Sequence, residues 1–322
     1  MSEKHLVDRL IPDELAGLRL DQALAAMLPE YSRSRLKGWI ESGRIHLNGI
    51  IPKPRHKVDG GERVKIETAP ESLTEDKPEV IALDVRYEDE HVLVLNKPPG
   101  RVVHPAAGNR DGTVLNALLH HAPQLAALPR AGIVHRLDKD TSGLMVVAKT
   151  PVAHVKLVAA LAEHAVGREY LALVQGELIA GGCVEAPIGR HPKDRKRMAV
   201  VSGGKPAVSH YRIEERFVGH TLLRVSLETG RTHQIRVHMS HLRHPIVGDP
   251  VYGGRLRLPP AAGASLTELL RGFNRQALHA TRLDLNHPAT GEAMFWEAAM
   301  PDDMQMLISG LRAHAAKAHE AK

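Results

Sequence analysis

The sequence predicts a two-domain protein that combines α-helices with antiparallel β-strands, and three observations support this. A group of helical and strand patterns over residues 19–66 comes before a polar, proline-bearing stretch, residues 68–80, which is typical of a linker. Alternating apolar residues beyond that stretch predict strands connected as antiparallel pairs. A chain of 322 residues is long enough for one small domain and one large one.

The segment before the linker predicts two helices and two strands. Apolar residues at helical spacing indicate a first helix from Arg19 and a second helix that ends at Gly43. Residues 44–47 form a strand pattern that runs into Asn48-Gly49, a pair typical of tight hairpin turns. Residues 58–66 predict the next strand.

Positive charge is concentrated in this first segment. Between Arg33 and Lys65 there are nine basic and three acidic residues, and the resulting excess equals the net formal charge of the whole chain, +6. A basic surface of this kind fits the phosphates of a nucleic acid, although a solvated surface explains many charge runs. The candidate RNA-binding residues here are Arg33, Arg35, Lys37 and Arg44.

The segment after the linker predicts more strands than helices. Residues 255–275 have the composition of an exposed insertion with a short helix, and the last strand patterns are expected to close the sheet. The predicted strands are 83–87, 92–96, 144–148, 168–174, 205–211, 222–227, 278–280 and 294–296. Four helices are predicted: one that ends at His121, one from Pro151 to near Gly167, one that begins near Gly230, and one over residues 301–319.

A dense polar segment lies between two apolar runs at residues 132–143. Asp138 stands between Arg136 and Lys139, and a nearby guanidinium favours the charged form of a carboxylate. Such an aspartate can act as a nucleophile or as an electrostatic catalyst. On chemistry alone, an aspartate in a turn before a strand is more often a cap or a loop salt bridge than a catalytic group.

The residues of this segment resemble a known catalytic motif. His135-Arg136-Leu137-Asp138, followed after two residues by Thr141-Ser142-Gly143, is similar to the motif of the RNA pseudouridine synthases that act on structured RNA. The resemblance implies that Asp138 is the catalytic aspartate and that Arg136 helps to turn the target base out of its helix.

Two further residues acquire roles from the same resemblance. Tyr170 corresponds to the tyrosine that stacks on the target uracil, although a strand tyrosine with a surface hydroxyl is the plainer interpretation. Arg236, in the segment Gly230 to Met239, corresponds to the arginine that reaches the catalytic aspartate. The segment Gly248 to Gly253 resembles a further family motif that supports the cleft.

Residues 17–67 resemble the S4 RNA-binding domain, through residues 19–21, 32–34 and 43–49. The two resemblances together imply an α+β fold, with residues 1–75 as the S4 domain and its linker and residues 76–322 as the catalytic domain. They also imply a catalytic domain with a largely antiparallel mixed sheet, flanked by helices.

A second basic cluster occupies Gly189 to Arg197, a sequence that predicts a hairpin tip. We expect it to contact phosphates, and a solvated loop is the alternative. Its candidate RNA-binding residues are Arg190, Lys193, Arg195 and Arg197.

Four histidines near residue 240 raise the question of a metal site. His233, His238, His241 and His244 fall on different helical faces, and no cysteine or glutamate accompanies them. We therefore predict no metal site. No cofactor is predicted either, since the segment around Lys205 lacks the spacing of a phosphate-binding loop and no dinucleotide fingerprint is present.

Composition and resemblance together predict the cellular compartment and the partners of the protein. No apolar run is long enough for a membrane span, and the single cysteine, Cys183, fits a reducing compartment, so we predict a cytoplasmic monomer without a membrane partner. The resemblance implies 23S rRNA or a precursor of the large ribosomal subunit as the partner. The alternatives are a sibling enzyme for other sites of that RNA, a non-catalytic assembly factor, and an RNA glycosidase.

Overall fold

The computed structural model describes residues 5–28, 33–53, 55–68, 76–105, 109–194 and 197–320. The chain forms two compact units, Met1–Leu73 and Thr74–Lys322. Each unit has its own hydrophobic core.

The smaller unit is a three-stranded antiparallel sheet packed with two helices. The strand order is β1-β3-β2. Its elements are β1 (His5–Leu10), α1 (Leu20–Met27), α2 (Arg33–Glu41), β2 (Ile45–Leu47) and β3 (Arg63–Thr68). The two predicted helices and the hairpin turn after β2 are confirmed, whereas β1 was not predicted because its sequence, His-Leu-Val-Asp-Arg-Leu, mixes charged and apolar residues.

The larger unit is built on a nine-stranded sheet with the order β4-β5-β6-β13-β7-β12-β11-β8, and β14 pairs with β13. Among the described strand pairs of this sheet, only β6 and β13 run parallel, so the largely antiparallel mixed sheet is confirmed. The strands are β4 (Val85–Glu88), β5 (Val92–Lys97), β6 (Ser142–Ala148), β7 (Gly167–Gln175), β8 (Gly182–Glu185), β11 (Val208–Phe217), β12 (His220–Leu227), β13 (Leu278–Asn286) and β14 (Ala293–Glu297), and a separate hairpin is formed by β9 (Ile188–Arg190) and β10 (Met198–Val200).

Helices cover this sheet, and side chains alternate between two cores. In β6, for example, Met145 and Val147 pack into one core while Leu144 and Val146 pack into the other. A strand buried on both faces has a continuous apolar sequence, as β6 does. The helices are α3 (Val114–His121), α4 (Pro151–Ala162), α5 (Gln234–His241), α6 (Ala264–Gly272) and α7 (Asp302–Glu320). Among the described residues, no helix combines the length and the apolar character that crossing a membrane requires.

Three details of the larger unit differ from the sequence-based expectation. Strand β13 does not close the sheet but inserts between β6 and β7, in the middle of it. Residues 255–275 are not simply an exposed insertion, since Leu266 and Leu270 of α6 are buried in the same core as Leu307 of α7. Helix α4 ends at Ala162 rather than near Gly167.

The contact between β6 and β13 requires a glycine at residue 143. Gly143 has φ +118°, and a Cβ there would lie 2.2 Å from the carbonyl oxygen of Ala280. We expect Gly143→Ala to lower the free energy of unfolding by about 1–3 kcal/mol more than Gly100→Ala does, because Gly100 (φ +81°) has nothing within 4 Å of such a Cβ. Urea denaturation measures both variants, and equal losses would contradict the steric explanation.

Candidate active site

A cavity of about 580 Å³ opens in the larger unit beside the start of β6. Its wall combines the loop that leads into β6, the first residues of β7, the segment after β12 and the start of α5. The polar lining residues that bear on the site are His104, His135, Arg136, Asp138, Arg168, Tyr170, His233 and Arg236.

A buried chain of charged groups holds Asp138 in this cavity. Nη1 of Arg236 donates to Oδ2 of Asp138 at 3.0 Å. The same guanidinium donates from Nε and Nη2 to the two carboxylate oxygens of Asp249, at 2.7 and 2.9 Å. The contact between Arg236 and Asp138 that the resemblance implied is therefore present, while the function of the pair stays a prediction.

Burial and charge act in opposite directions on this chain. Burial disfavours the charged form of Arg236, but the carboxylates of Asp249 and Asp138 outweigh it and raise the pKa of the guanidinium. Burial likewise opposes the charge of Asp249, and the guanidinium nevertheless holds the pKa of that carboxyl below its usual value. Arg236 is thus a permanent cation that binds Asp249 on one side and donates a hydrogen bond to Asp138 on the other.

The loop that carries Asp138 is attached to the fold on both sides of the aspartate. Before it, Nε2 of His135 accepts a hydrogen bond from the backbone N–H of Val146 in β6, at 3.0 Å. Burial lowers the pKa of His135 to about 3, so that the imidazole remains a neutral acceptor. After it, Nζ of Lys97 donates to the carbonyl of Lys139 at 2.8 Å. These bonds fix the backbone from which the Asp138 side chain extends.

Lys97 is a buried amine that sequence reasoning missed. Its side chain is fully buried, and its Nζ also donates to the carbonyls of Pro98 and Arg101. Burial lowers its pKa to about 7. The sequence marked this place by the break Lys97-Pro98-Pro99-Gly100 after β5, but it did not show that the amine becomes buried.

Tyr170 lies on β7 with 6% of its surface exposed and lines the cavity, which fits the predicted stacking partner of a base. The plainer interpretation, a strand tyrosine with its hydroxyl at the surface, does not fit this burial. Burial raises the pKa of the phenol. A phenol with a raised pKa stays protonated at neutral pH, and it is therefore a weak acceptor for a proton from the target base.

Arg136 is exposed at the cavity wall, where a long cationic side chain can reach an RNA. His104 also lines the cavity, and burial together with the charges of Arg130 and Arg136 lowers its pKa to about 4. It is therefore uncharged at neutral pH.

Tyr252 and His233 were not predicted as site residues. The Tyr252 hydroxyl accepts from the N–H of Met198 at 2.8 Å and lies 2.9 Å from Nδ1 of His233, to which it can donate. That arrangement leaves the proton of a neutral His233 on Nε2, which is 3.9 Å from Oδ1 of Asp138. His233 also has a left-handed backbone, φ 57°, immediately before α5.

Apart from Arg136, the predicted RNA-binding residues that the structure describes do not line the cavity. In the smaller unit Arg33 pairs with the buried Asp21 at 2.8 Å, and the exposed Lys37 pairs with Glu41 at 3.5 Å. Arg44 is half-buried, and the side chain of Arg35 lies outside the described residues.

In the larger unit, the predicted hairpin is present as β9 and β10, and residues 191–194 and 197 lie in the connection between the two strands. Arg190 and Lys193 are exposed there, and Arg195 lies outside the described residues. The guanidinium of Arg197 lies over the Tyr252 ring, 5.3 Å from its centroid.

Three of the four histidines considered for a metal site, His233, His238 and His244, have separate partners. His238 contacts Ser209 and the carbonyl of Ala186, while His244 contacts the carbonyl of Gln175. In the described part of the chain, no three histidine, cysteine or acidic residues form a group that could hold a metal ion.

Comparisons with known proteins agree with this fold. Residues 91–241 match the RNA pseudouridylate synthase family, and residues 18–64 match the S4 domain. The solved structure of human RNA pseudouridylate synthase domain containing 4 superposes with a TM-score of 0.56 at 25% identity, over 71% of this chain and 92% of that one.

The chain belongs to the RNA pseudouridylate synthase family and carries an N-terminal S4 domain. Its similarity to curated relatives extends over nearly its whole length. It is 58% identical to ribosomal large subunit pseudouridine synthase D of Pseudomonas aeruginosa, over 94% of each chain. It is 55% identical to the protein of that name in Escherichia coli strain K12, over 97% of this chain and 96% of that one.

Proposed function

We propose that this protein isomerises uridine to pseudouridine in 23S rRNA and thereby supports maturation of the large ribosomal subunit. The proposed target is the hairpin that bridges the subunits, helix 69, with its uridines 1911, 1915 and 1917. The single observation that carries the proposed chemistry is the carboxylate of Asp138, held in the cavity by Arg236. The names of the full-length relatives support the choice of RNA.

The reaction breaks the glycosidic bond at N1 of uracil and remakes it at C5. One proton leaves C5 and one is gained at N1, so the balance contains no oxidation or reduction. The target base must first leave its stack. We propose that Arg136 occupies the space that the base vacates and that Tyr170 stacks on the base in the cavity.

Asp138 is the proposed catalytic residue. Its Oδ2 is bound by Arg236, which leaves Oδ1 for the substrate. Attack on C1′ of the ribose, attack on the base and removal of a ribose proton would each use this same oxygen. In all three routes Arg236 aims the carboxylate through its hydrogen bond to Oδ2.

The proposed RNA-binding domain is the S4 domain with its linker, residues 1–75, attached to a catalytic domain of residues 76–322. We propose that the protein works as a monomer in the cytoplasm. The basic residues of α2 would contact phosphates on the RNA, together with the tip of the β9–β10 hairpin.

Neutralising the exposed cations of α2 tests the RNA-binding face. We expect the full-length double variant Arg33→Gln, Lys37→Gln to reduce the magnitude of the slope of log affinity against log salt by about 1–2. Each phosphate contact releases about one counterion from the RNA, and this release is lost with the contact. The matched control is Arg271→Gln, an exposed arginine in the other unit, with an unchanged slope. An unchanged slope in the double variant would show that this face is only solvated.

Release of tritium from 23S rRNA labelled at C5 of uridine tests the proposed reaction. Isomerisation releases the tritium into water and leaves the uracil attached to the RNA. An RNA glycosidase would instead release free labelled uracil, and a non-catalytic assembly factor would release neither. Tritium release by the wild-type protein without free uracil is the expected result, and either of the other outcomes would overturn the proposal.

A further inference from the structure

Arg168 is a buried arginine in the cavity wall, and the proposed reaction assigns no role to it. It lies on β7 two residues before Tyr170, and both side chains line the cavity. Residues two apart on a strand lie on the same face, about 7 Å from each other. Arg168 and the ring on which we propose the uracil stacks therefore line the same cavity from the same face of β7.

The guanidinium of Arg168 has few partners for a buried cation. Only 8% of the residue's surface is exposed. Its Nη2 donates to the carbonyl of Glu228 at 3.2 Å, whereas its Nε is buried without a hydrogen-bond partner in the described part of the chain. The carboxylate of Glu228 does not compensate the charge, because it is engaged with His210.

The other buried arginine of the cavity shows the contrast. Arg236 has two carboxylates, Asp138 and Asp249, as ion-pair partners. For Arg168, no acidic side chain forms an ion pair among the described residues. A buried charge without a counter-charge raises the free energy of the folded protein. Binding of an anion from outside at this position would therefore be energetically favourable.

The surroundings of Arg168 also hold its orientation. A Cβ at Gly230 would lie 2.8 Å from Nη1, so the guanidinium packs directly against the glycine backbone. The Glu228 carbonyl fixes Nη2 from the other side. A guanidinium fixed in this way suits an anion that presents two neighbouring acceptor oxygens, such as a phosphate.

We propose that Arg168, packed against Gly230, binds a phosphate that flanks the target uridine while the base stacks on Tyr170. This inference rests on the proposed function and adds a phosphate subsite to it. A phosphate carries the full negative charge that the buried cation lacks, whereas uracil is neutral before the reaction.

Equilibrium binding of a synthetic helix 69 hairpin to the full-length protein tests this subsite. Each phosphate beside a uridine is replaced, one at a time, by an uncharged methylphosphonate. We expect Arg168→Gln to weaken binding of the unmodified hairpin by about 10- to 100-fold, the range for a hydrogen bond to a charged group. One methylphosphonate should weaken wild-type binding by a similar factor and leave Arg168→Gln binding unchanged.

Two variants and one activity measurement make the test specific. Arg168→Lys keeps the charge and should retain sensitivity to the same methylphosphonate. Arg224→Gln, on the neighbouring strand β12 and ion-paired with Glu214 and Glu169, should bind like the wild type. Unchanged affinity of Arg168→Gln would overturn the subsite, as would a loss that no single methylphosphonate reproduces. Tritium release from the hairpin by the wild-type protein is scored separately, since its absence would overturn the proposed function instead.

Discussion

Asp138→Asn is expected to abolish turnover while RNA binding survives. The amide keeps the shape of the side chain and can still accept from Nη1 of Arg236, but it lacks the charge and the basicity of a carboxylate. A positioned acid–base group contributes about 10²–10⁴-fold to a rate, and we expect a loss of about 10⁴-fold, the upper end of this range. Single-turnover tritium release measures the rate, and equilibrium binding to the same RNA measures the affinity.

The matched control for this prediction is Asp140→Asn. Asp140 lies in the same loop, two residues further on, and its side chain does not line the cavity. Its carbonyl, which Arg275 binds at 3.2 Å, is unchanged by the substitution. Full activity is expected for this variant. Retained turnover in Asp138→Asn would remove Asp138 from its proposed role, and a parallel loss in both variants would point to a general disturbance of the loop.

Asp249→Ala is expected to lower the free energy of unfolding strongly, because it removes one partner of a buried ion pair. The Asp249 side chain is fully buried, binds Arg236 through both oxygens and accepts from the backbone N–H groups of Val251 and Tyr252. Removing one partner of a buried ion pair leaves an uncompensated charge and costs about 3–5 kcal/mol. Urea unfolding in a Trp39→Phe background measures this loss, because Trp296 then reports on the larger unit alone.

An exposed aspartate provides the comparison. Asp284 pairs with Arg282 at 2.7 Å, but 38% of its side chain is exposed. We expect Asp284→Ala to cost less than about 1 kcal/mol, as exposed pairs do. A similar small cost for Asp249→Ala would mean that the buried pair does not stabilise the fold, and the rigid support of Asp138 would lose its physical basis.

The sequence predicted the elements whose patterns are local. The helices of the smaller unit, the hairpin turn after β2 and the apolar strand β6 all follow from periodicity within one segment. The position of β13 between β6 and β7 could not be predicted, since it depends on pairing between segments more than 100 residues apart. Burial of α6 likewise depends on α7, which lies outside the segment that carries the pattern.

The candidate site was predictable only where a motif resembled a known one. Asp138, Tyr170 and Arg236 were found in this way, and all three line one cavity. Asp249 lies in the segment Gly248 to Gly253, which the resemblance marked as support for the cleft, but its pairing with Arg236 was not predicted. Its pairing and the burial of Lys97 were missed because a sequence does not show which charged residues become buried together. Arg168 was also missed, because an arginine at the start of a strand pattern is usually exposed.

Pseudouridine mapping at single-nucleotide resolution tests the central claim most directly. We would incubate 23S rRNA and large ribosomal subunits with the wild-type protein and with Asp138→Asn. The account predicts new pseudouridines in helix 69 with the wild type and none with the variant. Modification at other sites of the RNA would keep the chemistry and assign the chain to a sibling activity. The absence of modification on both substrates would contradict the proposed function and favour a non-catalytic assembly factor.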